Sequence, residues 1–198
     1  MKTILLASNN KNKLVELTNA LSPLGINVKS LKDLGIEDPV EDGLTFQENS
    51  LIKSRFAFEK TGLPTLADDT GFCIDSMNGF PGLFSARFAK NAGSHDNATK
   101  ILFNCLNENN KRARFISCLS FIYRQENKVI EKTFEGVLTG SVIYPGRGAN
   151  GFGYCPYFIP DGYNETLSEM PDTLREKINH RGLAIKKFLT FLEENTDI

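Results

Sequence analysis

The chain has 198 residues, 40 % of them hydrophobic and 24 % charged, with a formal net charge of −1 at pH 7. That length suits one domain, or two lobes around one core, and the composition excludes a disordered or fibrous chain. The balanced charge argues against a broad footprint on a nucleic-acid backbone but leaves room for a small phosphate pocket.

Residues 4–7, a short apolar run ending in a polar turn, read as a buried strand and are too few for a signal peptide or a membrane span. Leu14, Leu17 and Leu21 then recur at helical spacing. Residues 8–13 therefore occupy a strand-to-helix junction. Ser8, Asn10 and Lys13 are there either to hold an anion at the positive end of the helix dipole or as a plain helix cap with solvated lysines.

Thr45-Phe46-Gln47-Glu48 fits a capping box that opens a second helix, and places Asn49 and Lys53 on one face of it. Thr65-Leu66-Ala67 reads as a short strand, so Asp68-Asp69-Thr70-Gly71 is expected at a strand end, with Phe72-Cys73-Ile74 resuming as strand. Asp96 is a candidate cap for a helix carrying Ile101, Leu102 and Leu106. The β-rich residues 115–123 and 128–138 flank Gln125-Glu126-Asn127 and predict a hairpin. Residues 146–153 form a glycine-rich loop, and the apolar spacing from Leu174 to Leu192 predicts a C-terminal helix.

Four cysteines, Cys73, Cys105, Cys118 and Cys155, stand far apart without a C-x-x-C pair. They disfavour a zinc site or a stapled secreted domain and suit reduced thiols in a cytoplasm. No P-loop and no Ser/His/Asp nucleophile set is present, and His95 lies in a polar stretch that assigns it no role.

Asp68 and Asp69 carry the strongest chemical signal. Neighbouring carboxylates repel unless a cation or donors neutralise them, and Mg²⁺ held by one or two carboxylates plus substrate phosphates meets that need. One of the pair is also placed to deprotonate a water. An Asx-turn before Thr70-Gly71 is the plain alternative. Glu41 is either a third acid or part of a solvated loop. Phe152-Gly153-Tyr154 offers an aromatic face for a nucleobase, or core packing. His180 and Arg181 offer donors for a base edge or phosphate, or a solvated basic face with Lys177.

The order of these motifs carries more than any one of them. Ser8-x-Asn10-x-x-Lys13, Gly43-Leu44-Thr45-Phe46-x-Glu48-Asn49, Lys53 and Ala67-Asp68-Asp69-Thr70-Gly71 occur in sequence. Pro81-Gly82-x-x-Ser85-Ala86-Arg87, Gly151-Phe152-Gly153-Tyr154 and His180-Arg181-Gly182 follow. This succession closely resembles the inosine triphosphate pyrophosphatase family over nearly the whole chain.

The resemblance implies an α/β fold, an elongated mixed β-sheet with two α/β lobes flanking a central substrate cleft, in a single domain spanning residues 1–198 and paired as a homodimer. It implies Mg²⁺-dependent hydrolysis of ITP, dITP and XTP to the monophosphate and pyrophosphate. By position, Ser8, Asn10 and Lys13 would hold the phosphates and Lys53 would assist at the triphosphate. Asp69 would bind metal and act as general base, with Glu41 and Asp68 supporting the metal and its waters. Thr70 would touch substrate, Phe152, Gly153 and Tyr154 would pack on the purine, and His180 with Arg181 would contact the base. A purine nucleoside triphosphate is thus the expected partner, with no nucleic acid and no membrane.

Three positions depart from the family pattern at the base end. Cys155 stands where an aspartate is usual before Pro156, Arg175 replaces a lysine, and Asn179 replaces a serine. A thiol lacks the acceptor pair of a carboxylate, and a guanidinium is a planar fork rather than a compact ammonium. The alternatives that follow are the same chemistry with altered base specificity, and a nucleotide-binding protein without turnover.

Overall fold

The computed structural model describes residues 3–106 and 110–195. In chain order they form β1 (Thr3–Leu6), α1 (Lys11–Leu21), β2 (Asn27–Ser30), α2 (Phe46–Thr61), β3 (Thr65–Ile74), β4 (Pro81–Gly82), α3 (Ser85–Asn91), α4 (His95–Asn104), β5 (Arg112–Gln125), β6 (Lys128–Val142), β7 (Phe158–Pro160), α5 (Asp172–Ile178) and α6 (His180–Glu194). The strands make a mixed sheet in the order β2-β1-β3-β5-β6-β7, with β4 pairing β3. β1 runs parallel to β2 and β3, whereas the β3–β4 and β6–β7 pairs are antiparallel. This is the α/β class expected from sequence. No helix among the described residues is long and apolar enough to cross a membrane.

Two compact units divide the chain. The first comprises Met1–Asp69, Ser117–Gly136 and Leu183–Ile198, and the second Thr70–Ile116 and Val137–Gly182.

The first unit buries apolar side chains on both faces of its strands, as parallel strands generally do. Alternate residues of a strand point to opposite faces. Ile4, Leu6 and Leu66 accordingly pack with Leu17 and Leu21 of α1, Leu119 and Phe121 of β5, and Ala184 and Phe188 of α6. Leu5, Ala7 and Ala67 pack instead with Ala57 of α2 and Leu31. One face of this sheet therefore belongs to α1 and α6, the other to α2. The capping box at Thr45 and Glu48 forms as expected and fixes where α2 begins. The β5–β6 hairpin also forms, turning on Glu126 and Asn127 at φ 45° and 67°.

The second unit is built around Phe72, Phe115, Phe158 and Tyr154, with Ala89 of α3 and with Ala98 and Leu102 of α4.

Three local expectations are corrected. β3 does not stop at the acidic pair but runs unbroken through it, so Asp68 and Asp69 are mid-strand residues. α4 is capped by Ser94, whose side chain accepts from Asn97 N, while Asp96 accepts from the hydroxyls of Tyr144 and Tyr157. The single C-terminal helix is two, because Asn179 leaves helical geometry at ψ 158° and its Oδ1 accepts from Gly182 N at 2.6 Å. Asn serves this capping role as well as Ser does. The turn between α5 and α6 is so tight that a Cβ on Gly182 would fall 1.9 Å from the Glu176 carbonyl oxygen.

Candidate active site

β3 splits its two acids between the faces of the sheet. The Asp68 carboxylate is fully buried, accepting from Ser117 Oγ of β5 at 2.7 Å through Oδ1 and facing Lys13 Nζ of α1 at 3.1 Å through Oδ2. Asp69 meets α2 instead. Its Oδ1 lies 3.0 Å from Lys53 Nζ, and its Oδ2 accepts from Asn49 Nδ2 at 3.3 Å. Mutual repulsion of the two carboxylates is thus relieved by geometry and by a separate lysine for each.

Both lysines also donate to the Asp68 main-chain oxygen, Lys13 at 2.8 Å and Lys53 at 2.9 Å. Two ammonium groups sharing one acceptor stand within roughly 6 Å of each other, and their repulsion is offset by the Asp68 and Asp69 carboxylates. Glu41 Oε1 completes the cluster 3.2 Å from Lys53 Nζ. Asn49 ties the Glu41 loop in place, because its Oδ1 accepts from Gly43 N at 2.8 Å. A Cβ on Gly43 would sit 2.7 Å from that same oxygen, so the approach requires glycine.

Burial sets the electrostatics. It raises the pKa of Asp69 above the ordinary value of 3.8, against the opposing pull of Lys53 and then Lys13, and Glu41 adds to the rise. Burial alone would lower Lys53, but Asp69, Glu41 and Asp68 together outweigh it and hold the ammonium charged. A buried carboxylate with a raised pKa beside a fixed cation suits a group that accepts a proton.

The junction at Ser8 and Asn10 carries its own caps. Asn10 Oδ1 accepts from the backbone N–H of Asn12 at 3.0 Å and of Lys13 at 3.3 Å, and Ser8 Oγ accepts from Asn10 N at 3.1 Å. Three of the N–H groups at this junction, those of Asn10, Asn12 and Lys13, are occupied by these side chains. An anion at this turn meets the two side chains first.

The residues expected at the base all fall in the second unit. Phe152 is 42 % exposed and Tyr154 only 4 %, which separates the two aromatics. Phe152 presents its ring near the Arg181 guanidinium, 6.0 Å from the centroid. Tyr154 stacks on Phe72 at 4.8 Å and donates its hydroxyl to the Ser85 carbonyl at 3.0 Å. Packing, not an open face, is what the structure gives Tyr154. His180 stacks on Phe115 at 4.8 Å, and Arg181 donates weakly to Thr70 Oγ1 at 3.5 Å. Gly151, at φ 76°, brings the backbone against Cys155 and Arg175, with Arg175 Nε 3.5 Å and Cys155 Sγ 3.4 Å from where a Cβ would be. The Arg175 guanidinium pairs with Asp172 Oδ1 at 2.7 Å.

Two residues of the site, Asn49 and His95, had no role assigned from the sequence. Asn49 was findable, since it shares a helical face with Lys53. His95 was not: its ring meets Tyr154 edge-on at 4.9 Å and lies under Gly153, where burial lowers its pKa. Only the fold brings α4 to that loop.

Among the described residues no group of three or more His, Cys, Asp or Glu side chains forms a metal cage. A magnesium ion does not need one, because it keeps waters and phosphate oxygens beside one or two carboxylates.

Comparison with known proteins gives a consistent result. The model of the Ham1 family matches residues 4–191. The dITP/XTP pyrophosphatase of Zymomonas mobilis is 39 % identical over 190 residues, spanning 94 % of this chain and 90 % of that one. The dITP/XTP pyrophosphatase of Haemophilus influenzae is 39 % identical over 187 residues, spanning 92 % and 94 %. The structure of a HAM1 protein from Coxiella burnetii superimposes with a TM-score of 0.90 at 34 % identity, covering 98 % of this chain and 100 % of that one.

Proposed function

The chain belongs to the Ham1 family, and on that premise we propose that it hydrolyses the non-standard purine nucleoside triphosphates ITP, dITP and XTP to the monophosphate and pyrophosphate. One observation carries the reading. Lys53 Nζ is held by Asp69 at 3.0 Å and Glu41 at 3.2 Å, with Lys13 sharing its main-chain acceptor. Acids and cations are thus concentrated in the manner that polyphosphate chemistry requires.

Mg²⁺ is the proposed cofactor. The donor set fits it: two carboxylate oxygens already converge on one cationic atom, and both are hard ligands. Glu41 and Asp69 would hold the ion, which when bound supplies neutralisation of the charge developing on the leaving pyrophosphate. Asp68 serves the metal less directly, since its carboxylate is buried against Ser117 and Lys13.

Placement supports the following residue roles. Lys13 and Lys53 bind the phosphates, with Ser8 and Asn10 beside them at the start of α1. Asp69 takes the proton of the attacking water, helped by the raised pKa that burial gives it. Phe152, Arg181, His180 and Thr70 recognise the purine, with Gly153, Arg175 and Cys155 shaping that subsite. Tyr154 supports Phe152's loop from the core. The Arg175–Asp172 pair next to Cys155 favours a shifted ranking among purines, because guanidinium and thiol present different donors from an ammonium and carboxylate. The whole chain is proposed as one catalytic domain, working as a homodimer in the cytoplasm with neither nucleic acid nor membrane as partner.

The test is pyrophosphate release from ITP, XTP, dITP, GTP and ATP, with and without Mg²⁺. Metal-dependent release from the first three, well above ATP and above an Asp69→Asn control, is expected. Turnover of none of them beyond that control removes the hydrolase reading and leaves nucleotide binding alone.

A further inference from the structure

We infer that Ser117 is a positioning residue for the phosphate end of the site, acting through Asp68 on Lys13; this rests on the pyrophosphohydrolase reading above. Ser117 lies on β5, the sheet neighbour of β3, and is completely buried. On the same strand Leu119 and Phe121 pack into the core beneath α1 and α6. Alternation puts Ser117 on that face with them, where an apolar side chain would be the ordinary occupant. A hydroxyl is there instead, and its partner is a charged group of the site.

The bond has a geometric consequence. Ser117 Oγ donates to Asp68 Oδ1 at 2.7 Å, and the other oxygen, Oδ2, faces Lys13 Nζ at 3.1 Å. Fixing Oδ1 fixes the plane of the carboxylate, and with it the direction from which Oδ2 meets the ammonium. Lys13 Nζ is also held by the main-chain oxygen of Asp68 at 2.8 Å, so side chain and backbone of one residue grip it together. Lys13 has a flexible stem that would otherwise sample several rotamers. Ser117 restricts it at one remove, without itself reaching a phosphate. By contrast, Ser120 bonds to Ser50 and Ser54 of α2. That set fastens the helix bearing Lys53, so each lysine has its own hydroxyl support.

The test combines kinetics with a probe of the phosphate end alone. Ser117→Ala should raise KM for the preferred triphosphate about five- to tenfold, with kcat changed less than about twofold, as expected for a lost bond to a charged group that only orients a ligand. Calorimetry with inorganic tripolyphosphate should show a matching loss of affinity. In a Lys13→Met background the same substitution should add almost nothing, which a general loosening of the core would not reproduce. Because the buried site tolerates shape changes poorly, Ser117→Thr and Ser117→Val form a second pair of near-equal volume. The threonine variant should bind tripolyphosphate more tightly than the valine variant. Unchanged KM and tripolyphosphate affinity in Ser117→Ala, an undiminished effect in the Lys13→Met background, or equal behaviour of Thr and Val would overturn the assignment. Absence of triphosphate turnover by the wild-type protein would instead count against the functional reading, and the tripolyphosphate measurements would still decide the role of Ser117.

Discussion

The cluster proposed for the phosphates in the first unit and the set proposed for the base in the second are built on different principles. The first is a dense arrangement of charges around the buried Lys53, Asp68 and Asp69, in which these three, Lys13 and Glu41 are joined by contacts between 2.8 and 3.2 Å. The second rests on aromatic packing, with Tyr154 on Phe72 and His180 on Phe115, and only Phe152 left substantially exposed. Charge fixes geometry tightly, because an unpaired buried charge is very costly. Packing tolerates side-chain exchange more easily. Cys155, Arg175 and Asn179, the three departures that the sequence resemblance marks, all lie in the second unit. If the proposed roles hold, changes to the second set should alter base preference without changing the reaction.

The largest expected effect tests the charged end. Asp69→Asn should lower kcat by about a thousandfold, since it removes the proton acceptor while keeping the shape. Lys53→Met should follow, weakening turnover and destabilising the fold by about 3 kcal/mol, because it leaves the buried Asp69 carboxylate without its cation. Urea denaturation of that variant checks the second half. At the aromatic end, Phe152→Ala should raise KM for ITP about tenfold by removing base stacking, yet leave tripolyphosphate affinity unchanged. Equal losses for both ligands would break the separation.

Tyr154→Phe sharpens the contrast from the other side. It should cost about 1 kcal/mol of stability, through the lost bond to the Ser85 carbonyl, and leave KM alone. A rise in KM would return Tyr154 to the base. The smallest effect concerns pH. Burial holds the Asp69 carboxyl above 3.8, so its reactive carboxylate is lost at a higher pH than in an ordinary aspartate. The acid limb of kcat/KM should therefore lie above 3.8, while Lys53, raised above 10.5, stays charged through neutral pH.

Much of this was legible in the residues. The capping box at Thr45 placed α2, and hence Asn49 and Lys53 on one face, because local backbone bonds determine where that helix starts. The strand-to-helix junction at Ser8 and the hairpin at Glu126-Asn127 were likewise local signals. What escaped was whatever depends on partners far away in sequence. Asp68 and Asp69 were expected at a strand end because Thr70-Gly71 resembles a turn, yet pairing of Phe72 with Gly82 of β4 carries the strand onward. Whether an aromatic faces solvent or core is equally non-local: Phe152 and Tyr154 differ by two positions, and only the Phe72 ring decides between them. Ser117, a lone hydroxyl in an apolar strand, gave no sign of the carboxylate 2.7 Å away.

If one strand gives its adjacent acids two different tasks, Asp68→Asn and Asp69→Asn must fail in different ways. Steady-state kinetics on the preferred triphosphate should show Asp69→Asn losing kcat with KM nearly kept. Asp68→Asn, which loosens Lys13, should chiefly raise KM. If both variants lost kcat and KM in the same proportion, the acids would be acting as one unit and the account would be wrong.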